Sequence, residues 1–409
     1  MVRRSLGQAY RRVLWANTIS SVGDGVYVSA LPLLAYTVTR DPILIALVTS
    51  SAFLPWLVWS LPAGAIVDRS DRGMLMSRSQ LVQGLIVAMI AVLLLVHAVD
   101  IGLLILLGFL LGSAEVVFSN AAQSVLPELV PPSELPRANG NLQVSLTVGE
   151  TFAGPPLGSL LFAVSRVIPF GLDACTFFGS AALLSGLAKK PEPATAHAPM
   201  GTQIVEGLRY LLRHRLLRTV ALLLGISNFA SQMGQATLVL LAVQTLHTGS
   251  RGYGLLWTAS AVGAILGGIT NPALTRRLGM LASLIISMMA VAAVFVGVGL
   301  APDAIVVGVL FACVGYFVTM WNIVTVTLRQ RIVPAELLGR VNSAYRMIGW
   351  GLIPVGGVAG GLVAADFGYR APYLLGGIVM AVAGIVAIPV LIRAAAQQLP
   401  LGIAADPRT

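Results

Sequence analysis

The sequence predicts an all-α membrane protein, with twelve transmembrane helices in two pseudo-symmetric six-helix bundles. Three observations carry this expectation. Hydrophobic residues fill 57% of the 409 positions and charged residues only 10%, against about 25% charged in an average soluble domain. Apolar stretches of about 20 residues, enough to cross a hydrocarbon core as a helix, recur along the chain. The basic residues gather on alternate connections, the pattern that sets membrane orientation. Together these exclude a water-facing enzyme.

The first series of spans is expected at 13–39, 43–67, 76–99, 101–126, 138–164 and 167–188. The second covers 217–246, 253–275, 280–300, 304–328, 341–365 and 371–393. The basic start (Arg3, Arg4, Arg11, Arg12) before an apolar run imitates a secretory leader. The run from Val13 to Thr39 is too long for one, and many similar runs follow it. An even number of spans puts both termini on one side. With the N-terminus in the cytoplasm, the inner segments hold 22 of the 26 Lys and Arg, and the outer loops only Arg40, Arg166, Arg251 and Arg370. The formal charge of +10 is thus an orientation label, and no nucleic-acid partner is expected. The expected location is a bacterial cytoplasmic (inner) membrane, with both termini cytoplasmic. Cys175 and Cys313 lie far apart in apolar stretches, and four scattered histidines make no metal motif.

Three parts follow: residues 1–188 as an N-terminal bundle, 189–216 as a cytoplasmic linker, and 217–409 as a C-terminal bundle with a short tail. The linker opens with Pro191, Pro193 and Pro199. It then sets Ile204, Val205, Leu208, Leu211 and Leu212 against Glu206, Arg209, Arg213 and Arg215, as a helix lying on a membrane surface does. The plainer alternative is a solvated connection.

The halves read as copies. Val130-Pro131, Leu135, Arg137, Asn139, Gly154 and Gly158 recur 203 residues on as Val333-Pro334, Leu338, Arg340, Asn342, Gly357 and Gly361. Asn17, Ser20 and Gly23 recur 211 residues on as Asn228, Ser231 and Gly234. A parallel repeat with a site near the midplane between the copies is a transporter plan.

The segment Gly64-Ala-Ile-Val-Asp68-Arg69-Ser-Asp71-Arg72-Gly73 resembles the cytoplasmic motif between the second and third helices of the major facilitator superfamily. Gly64, Asp68, Arg69 and Arg72 match it, while Asp71 stands for its second Gly and Gly73 for a basic residue. In the fifth span, Gly154-Pro155-Pro156-Leu157-Gly158-Ser159 is similar to the Gly-Pro motif of proton-coupled drug antiporters, with Ser159 for its last Gly. "LPELVPPSELPRANG" and "IPFGLDACTFFGSA" resemble the branch of macrolide and enterobactin exporters. The resemblance implies export by alternating access, with Gly64, Asp68, Arg69, Arg72, Gly154, Pro155 and Gly158 serving the gates. The arginine that many drug antiporters carry in the fourth span is absent from "LLGFLLGSAEVVF".

Three acids lie near the middle of a span: Asp24, Glu115 and Glu150; Asp173 reads as buried nearer the outer face. Insertion scales charge about 2.5–3.5 kcal/mol for an ion such as Asp at mid-helix. These groups must therefore hold protons for part of the time, face a wet cavity, or meet a cation from outside. The plainer alternative is hydrogen bonding across a packed interface. Helical spacing aligns Asn17, Ser20, Asp24 and Tyr27 in the first span, while Asn228, Ser231 and Gln235 echo them in the seventh with amides. Among the aromatics, Trp321 beside Asn322 is the best candidate to line a cavity, ahead of Tyr27, Trp56, Phe118, Trp257 and Tyr345.

The reading is a monomeric secondary transporter in a lipid bilayer. It exports hydrophobic or amphiphilic small molecules, drug-like and cationic or zwitterionic, in exchange for protons. Asp24, Glu150, Glu115, Asn17, Asn228, Gln235, Trp321 and Asn322 form the proton and substrate site. No cofactor or metal is expected, and the proton gradient supplies the drive. The alternatives are a lysophospholipid or other lipid flippase, a siderophore exporter of the same fold, a receptor, or a membrane enzyme.

Overall fold

The structure is a computed structural model, and it describes residues 6–59, 63, 66–67, 70–131, 134–187 and 200–398. Among these it holds helices and no strand. The first series comprises α1 (Gln8–Val38), α2 (Pro42–Ser51, resuming at Leu54–Val58), α3 (Arg72–Leu95) and α4 (Ile101–Leu129). It ends with α5 (Leu135–Leu146, Thr147–Ala153 and Gly154–Val164) and α6 (Ile168–Ser185). A short helix α7 (Met200–Arg213) precedes the second series. That series comprises α8 (Arg215–Leu240, continuing to Thr245), α9 (Gly249–Leu278), α10 (Met280–Leu300), α11 (Ala304–Ile332), α12 (Ala335–Gly351 and Ile353–Phe367) and α13 (Ala371–Gln398).

Among the described residues, ten helices are long and apolar enough to cross a membrane. The two that fall short, α2 and α5, are interrupted by proline. Pro55 cannot donate a backbone hydrogen bond, and α2 breaks just before it. In α5, Pro155 and Pro156 withdraw two donors that the preceding turn needs, and residues Thr147–Ala153 widen into a π-helix. With these two the architecture is consistent with twelve passes.

Aspartates at the connections start several helices. Asp41 Oδ1 accepts from the amides of Ile43 (2.8 Å) and Leu44 (3.4 Å). Asp100 does so for Gly102 and Leu103, and Asp303 for Ile305 and Val306. Asp71 accepts from Met74 at 2.8 Å to open α3. Each satisfies amides that lack a partner within the helix and sits against the positive helix end. Four of the 16 acids, Asp41, Asp71, Asp100 and Asp303, are occupied in this way.

The hydrophobic cores place the two series relative to each other. On the side away from the termini one continuous core joins them: Leu31, Leu34, Ile45 and Val48 pack in the same cluster as Leu238, Leu241, Tyr253 and Tyr373. On the terminal side the cores are separate among the described residues. Val13, Met76, Phe118 and Leu184 belong to the first series, and Leu217, Trp321, Val324 and Tyr345 to the second. The shared end is closed by small residues. A Cβ on Gly361 of α12 would stand 2.7 Å from Ala46 of α2, and Ser50 of α2 lies against Gly357. Gly254 of α9 receives Ser159 of α5. Lipid tails are as apolar as leucine, so close backbone approach of this kind, more than hydrophobicity, holds membrane helices together. The helix α7 docks on the second series: Glu206 pairs with Arg340 at 2.5 Å, and Leu211 is buried.

Candidate functional site

The first series brings four carboxyl groups together. Asp24, half-buried on α1, has Asp173, Glu115 and Glu150 as its charged neighbours. Gly23 lets α6 approach so closely that Asp173 lies against it, level with Asp24. Asp173 stands in the second turn of α6, and the close approach of α1 and α6 at Gly23 brings it alongside Asp24, which distance along the span does not show. Glu115 on α4 accepts a hydrogen bond from Gln83 Nε2 of α3 at 2.9 Å. Its carboxylate is therefore braced from the side, partly as the packed-interface alternative foresees. Glu150 sits on the π-helical turn and is exposed. That turn lies between α1 and α9, at the seam of the two series. Asn17 is buried one to two turns below Asp24; its carbonyl accepts from Ser20 and Ser21, and its Nδ2 has no partner.

The second series supplies neutral groups. Asn228 Nδ2 of α8 donates to the Gly349 carbonyl of α12 at 2.9 Å, so this amide ties two helices. Gln235 is exposed. On α11 the neighbours Trp321 and Asn322 part company: Trp321 is buried in the core of the second series, and Asn322 is exposed. Trp56 of α2 meets Trp350 of α12 edge-on across the seam, ring centroids 5.0 Å apart. The sequence signals Trp56 but offers no sign of its partner.

Of the gate residues, Gly64, Asp68 and Arg69 lie outside the described residues. Arg72 is described, and the sequence reading missed its partner. It pairs with Glu128 at the end of α4 and donates to the Ser124 carbonyl at 3.0 Å. Gly154 and Gly158 of α5 pack directly on Gly25 and Val26 of α1. The Pro155 carbonyl accepts from Ser159 Oγ at 3.0 Å. The small residues of the Gly-Pro motif are thus spent on bringing α5 onto α1, which places Glu150 near Asp24.

A site of this kind can bind a cation or a proton. Each charge gained by a carboxyl raises the affinity for the next cation, and the second series adds amides and aromatic faces. A repeated helical membrane chain, closed at one end and with acids gathered in its first half, is built as a transporter. The family follows. A family model described as "Transmembrane secretion effector" matches residues 5–401, and the chain belongs to this family of the major facilitator superfamily. It is 24% identical over 391 residues to the multidrug efflux pump Tap of Mycolicibacterium fortuitum, covering 92% of this chain and 94% of that one. The enterobactin exporter EntS of Citrobacter koseri is 27% identical over 343 residues, covering 82% of this chain and 80% of the exporter. In fold the chain is similar to a bacterial homologue of the human lysosomal transporter Spinster in an inward-facing, unoccupied conformation. The TM-score is 0.68 at 14% identity, over 98% of each chain. The protein is a multi-pass membrane transporter of a small molecule.

Proposed function

We propose that this transporter exports hydrophobic or amphiphilic cations and zwitterions by alternating access, in exchange for protons. One observation carries the reading: Asp24, Glu115 and Glu150 gather in the first series, while the candidate positions of the second series, Asn228, Gln235 and Asn322, are neutral. A cationic substrate neutralises the acids on the way out, and protons neutralise them on the way back. Asn322, exposed on α11, offers its amide to the substrate, with Trp321 behind it in the core of the second series. Gly154, Pro155 and Gly158 hold the fifth helix against the first, and Gly64, Asp68, Arg69 and Arg72 govern the gate on the terminal side. That side is cytoplasmic, in keeping with its basic residues, and the membrane is the bacterial inner membrane. The protein works as a monomer, without a cofactor, on the proton gradient.

The multidrug pump among the relatives supports a drug-like cation, and the enterobactin exporters support a second reading, a siderophore. Ethidium efflux from proteoliposomes, with and without an imposed pH gradient, tests the first. Efflux is expected to follow the gradient and to lose its pH dependence in Asp24→Asn. Gradient-independent efflux would remove proton antiport. Transport of enterobactin but of no cation would favour the siderophore.

A further inference from the structure

We propose that Asp173 of α6 is a proton-holding site behind α1, and that it trades its proton with Asp24. The proposal deepens the proton-coupled reading above. Asp173 is 0% exposed. Its Oδ1 lies against Gly23, the chain neighbour of Asp24. The hydroxyl on its own helix, Thr176 Oγ1, is 3.4 Å from Oδ1 but 2.8 Å from the Asp173 backbone carbonyl, to which it donates. Oδ2 is buried with no hydrogen-bond partner. Among the described residues no ion pair reaches it. An unpaired, poorly donated carboxylate is a costly occupant of such a place. A carboxylic acid suits it, because it brings its own O–H.

A second group marks the same spot independently. Tyr27 of α1 is 6% exposed, and its hydroxyl is also without a partner. Its ring packs edge-on against Phe170, one turn from Asp173, with centroids 6.1 Å apart. Two orphaned polar groups, one from each helix, therefore flank the strip beside Asp24. The titratable groups that face this strip are Asp24 and Tyr27 on α1, with Glu115 on α4 and Glu150 on α5 beyond them. From α3, which also packs on α6, come the neutral Gln80 and Gln83; Arg72 and Arg78 lie at its terminal-side end.

The exchange is a proton transfer. Asp173 O–H gives its proton to the Asp24 carboxylate, leaving Asp173 ionised and Asp24 protonated, with the pair's charge unchanged. One proton stays in the pair while Asp24 holds a substrate cation, and a second enters when the cation leaves. A pair coupled in this way titrates as a unit.

Infrared difference spectra of the full-length protein in lipid nanodiscs test this. A deuterium-sensitive carbonyl band of a protonated carboxyl group is expected, lost in Asp173→Asn and shifted in Asp24→Asn. The pH profile of transport is expected to move in Asp173→Asn with substrate affinity kept. A band unchanged in Asp173→Asn overturns the proposal, and so does a band lost there but indifferent to Asp24→Asn. Should Asp173→Asn not fold, Tyr27→Phe and Thr176→Val must shift the band, and failure to do so is equally fatal. Efflux that ignores the pH gradient while the band behaves as stated removes antiport and leaves the Asp173 site standing.

Discussion

Glu115 and Glu150 carry the same charge but are held differently, and that difference sets their expected roles. Glu115 leans on Gln83, which is 1% exposed, so its carboxylate is positioned by a buried donor. Glu150 rides an exposed turn at the seam. A charge at roughly 10 Å in an effective dielectric of about 20 is worth about 1.7 kcal/mol. Glu150→Gln is therefore expected to weaken ethidium binding by on the order of tenfold, with a smaller loss in Glu115→Gln. Fluorescence titration in detergent measures both. An equal loss for an uncharged substrate would show that the charge is not the contact. Arg72 offers a contrast. Glu128, its partner, is more than half exposed, and surface pairs contribute about 0–1 kcal/mol. Glu128→Gln is expected to change thermal stability by less than about 1 kcal/mol, read from a melting curve at low and high salt.

At the scale of elements, the sequence shows which helices exist more clearly than how they register. Proline and capping aspartate positions are local signals, so the starts of α2, α4 and α11 are readable from Asp41, Asp100 and Asp303. The repeat is readable too, but its phase is not. Thr18 meets Ser145 in the first half, whereas in the second Gly225 meets Ile348. Asp173 lies at Gly23, and its counterpart Gly376 lies at Ala230. Both pairs set α8 four residues from the match of Asn17 with Asn228, so Ser231 holds the place of Asp24 and Gln235 lies one turn beyond. The glycines slip as well. Gly154 and Gly158 lie against the backbone of α1, but it is Gly356 and Gly360, rather than Gly357 and Gly361, that lie against the backbone of α8. The extra residue in the first half is absorbed by the π-helical turn of α5. Periodicity cannot reveal a one-residue bulge, because small residues crowd both faces. A contrast follows within α5. A side chain at Gly154 would run into the backbone of Gly25, while nothing lies within 4 Å of Gly140. Gly154→Leu is expected to cost about 2–4 kcal/mol or to abolish expression. Gly140→Ala is expected to gain about 0.5–1 kcal/mol, both read from thermal melts of purified protein.

For the whole molecule, the arrangement of cores says which end the proposed alternating access must open. Two halves that share one core at the far end and keep separate cores at the terminal end can rock only by opening the shared part. None of this is visible in the sequence, where the residues of both cores are simply apolar; it appears only once Leu34 and Leu241 are seen to pack together. The shared end is tight at the crossing of α2 and α12, where a Cβ on Gly361 would stand 2.7 Å from that of Ala46. Cβ atoms that close are within reach of a disulfide after a small adjustment. Ala46→Cys with Gly361→Cys, in a background of Cys175→Ser and Cys313→Ser, is therefore expected to crosslink under mild oxidant in lipid. Transport should stop and return on reduction, while ethidium still binds from the terminal side, because the locked end is the far one. Full transport by the crosslinked protein would show that the far end does not open, and alternating access about this seam would fail with it.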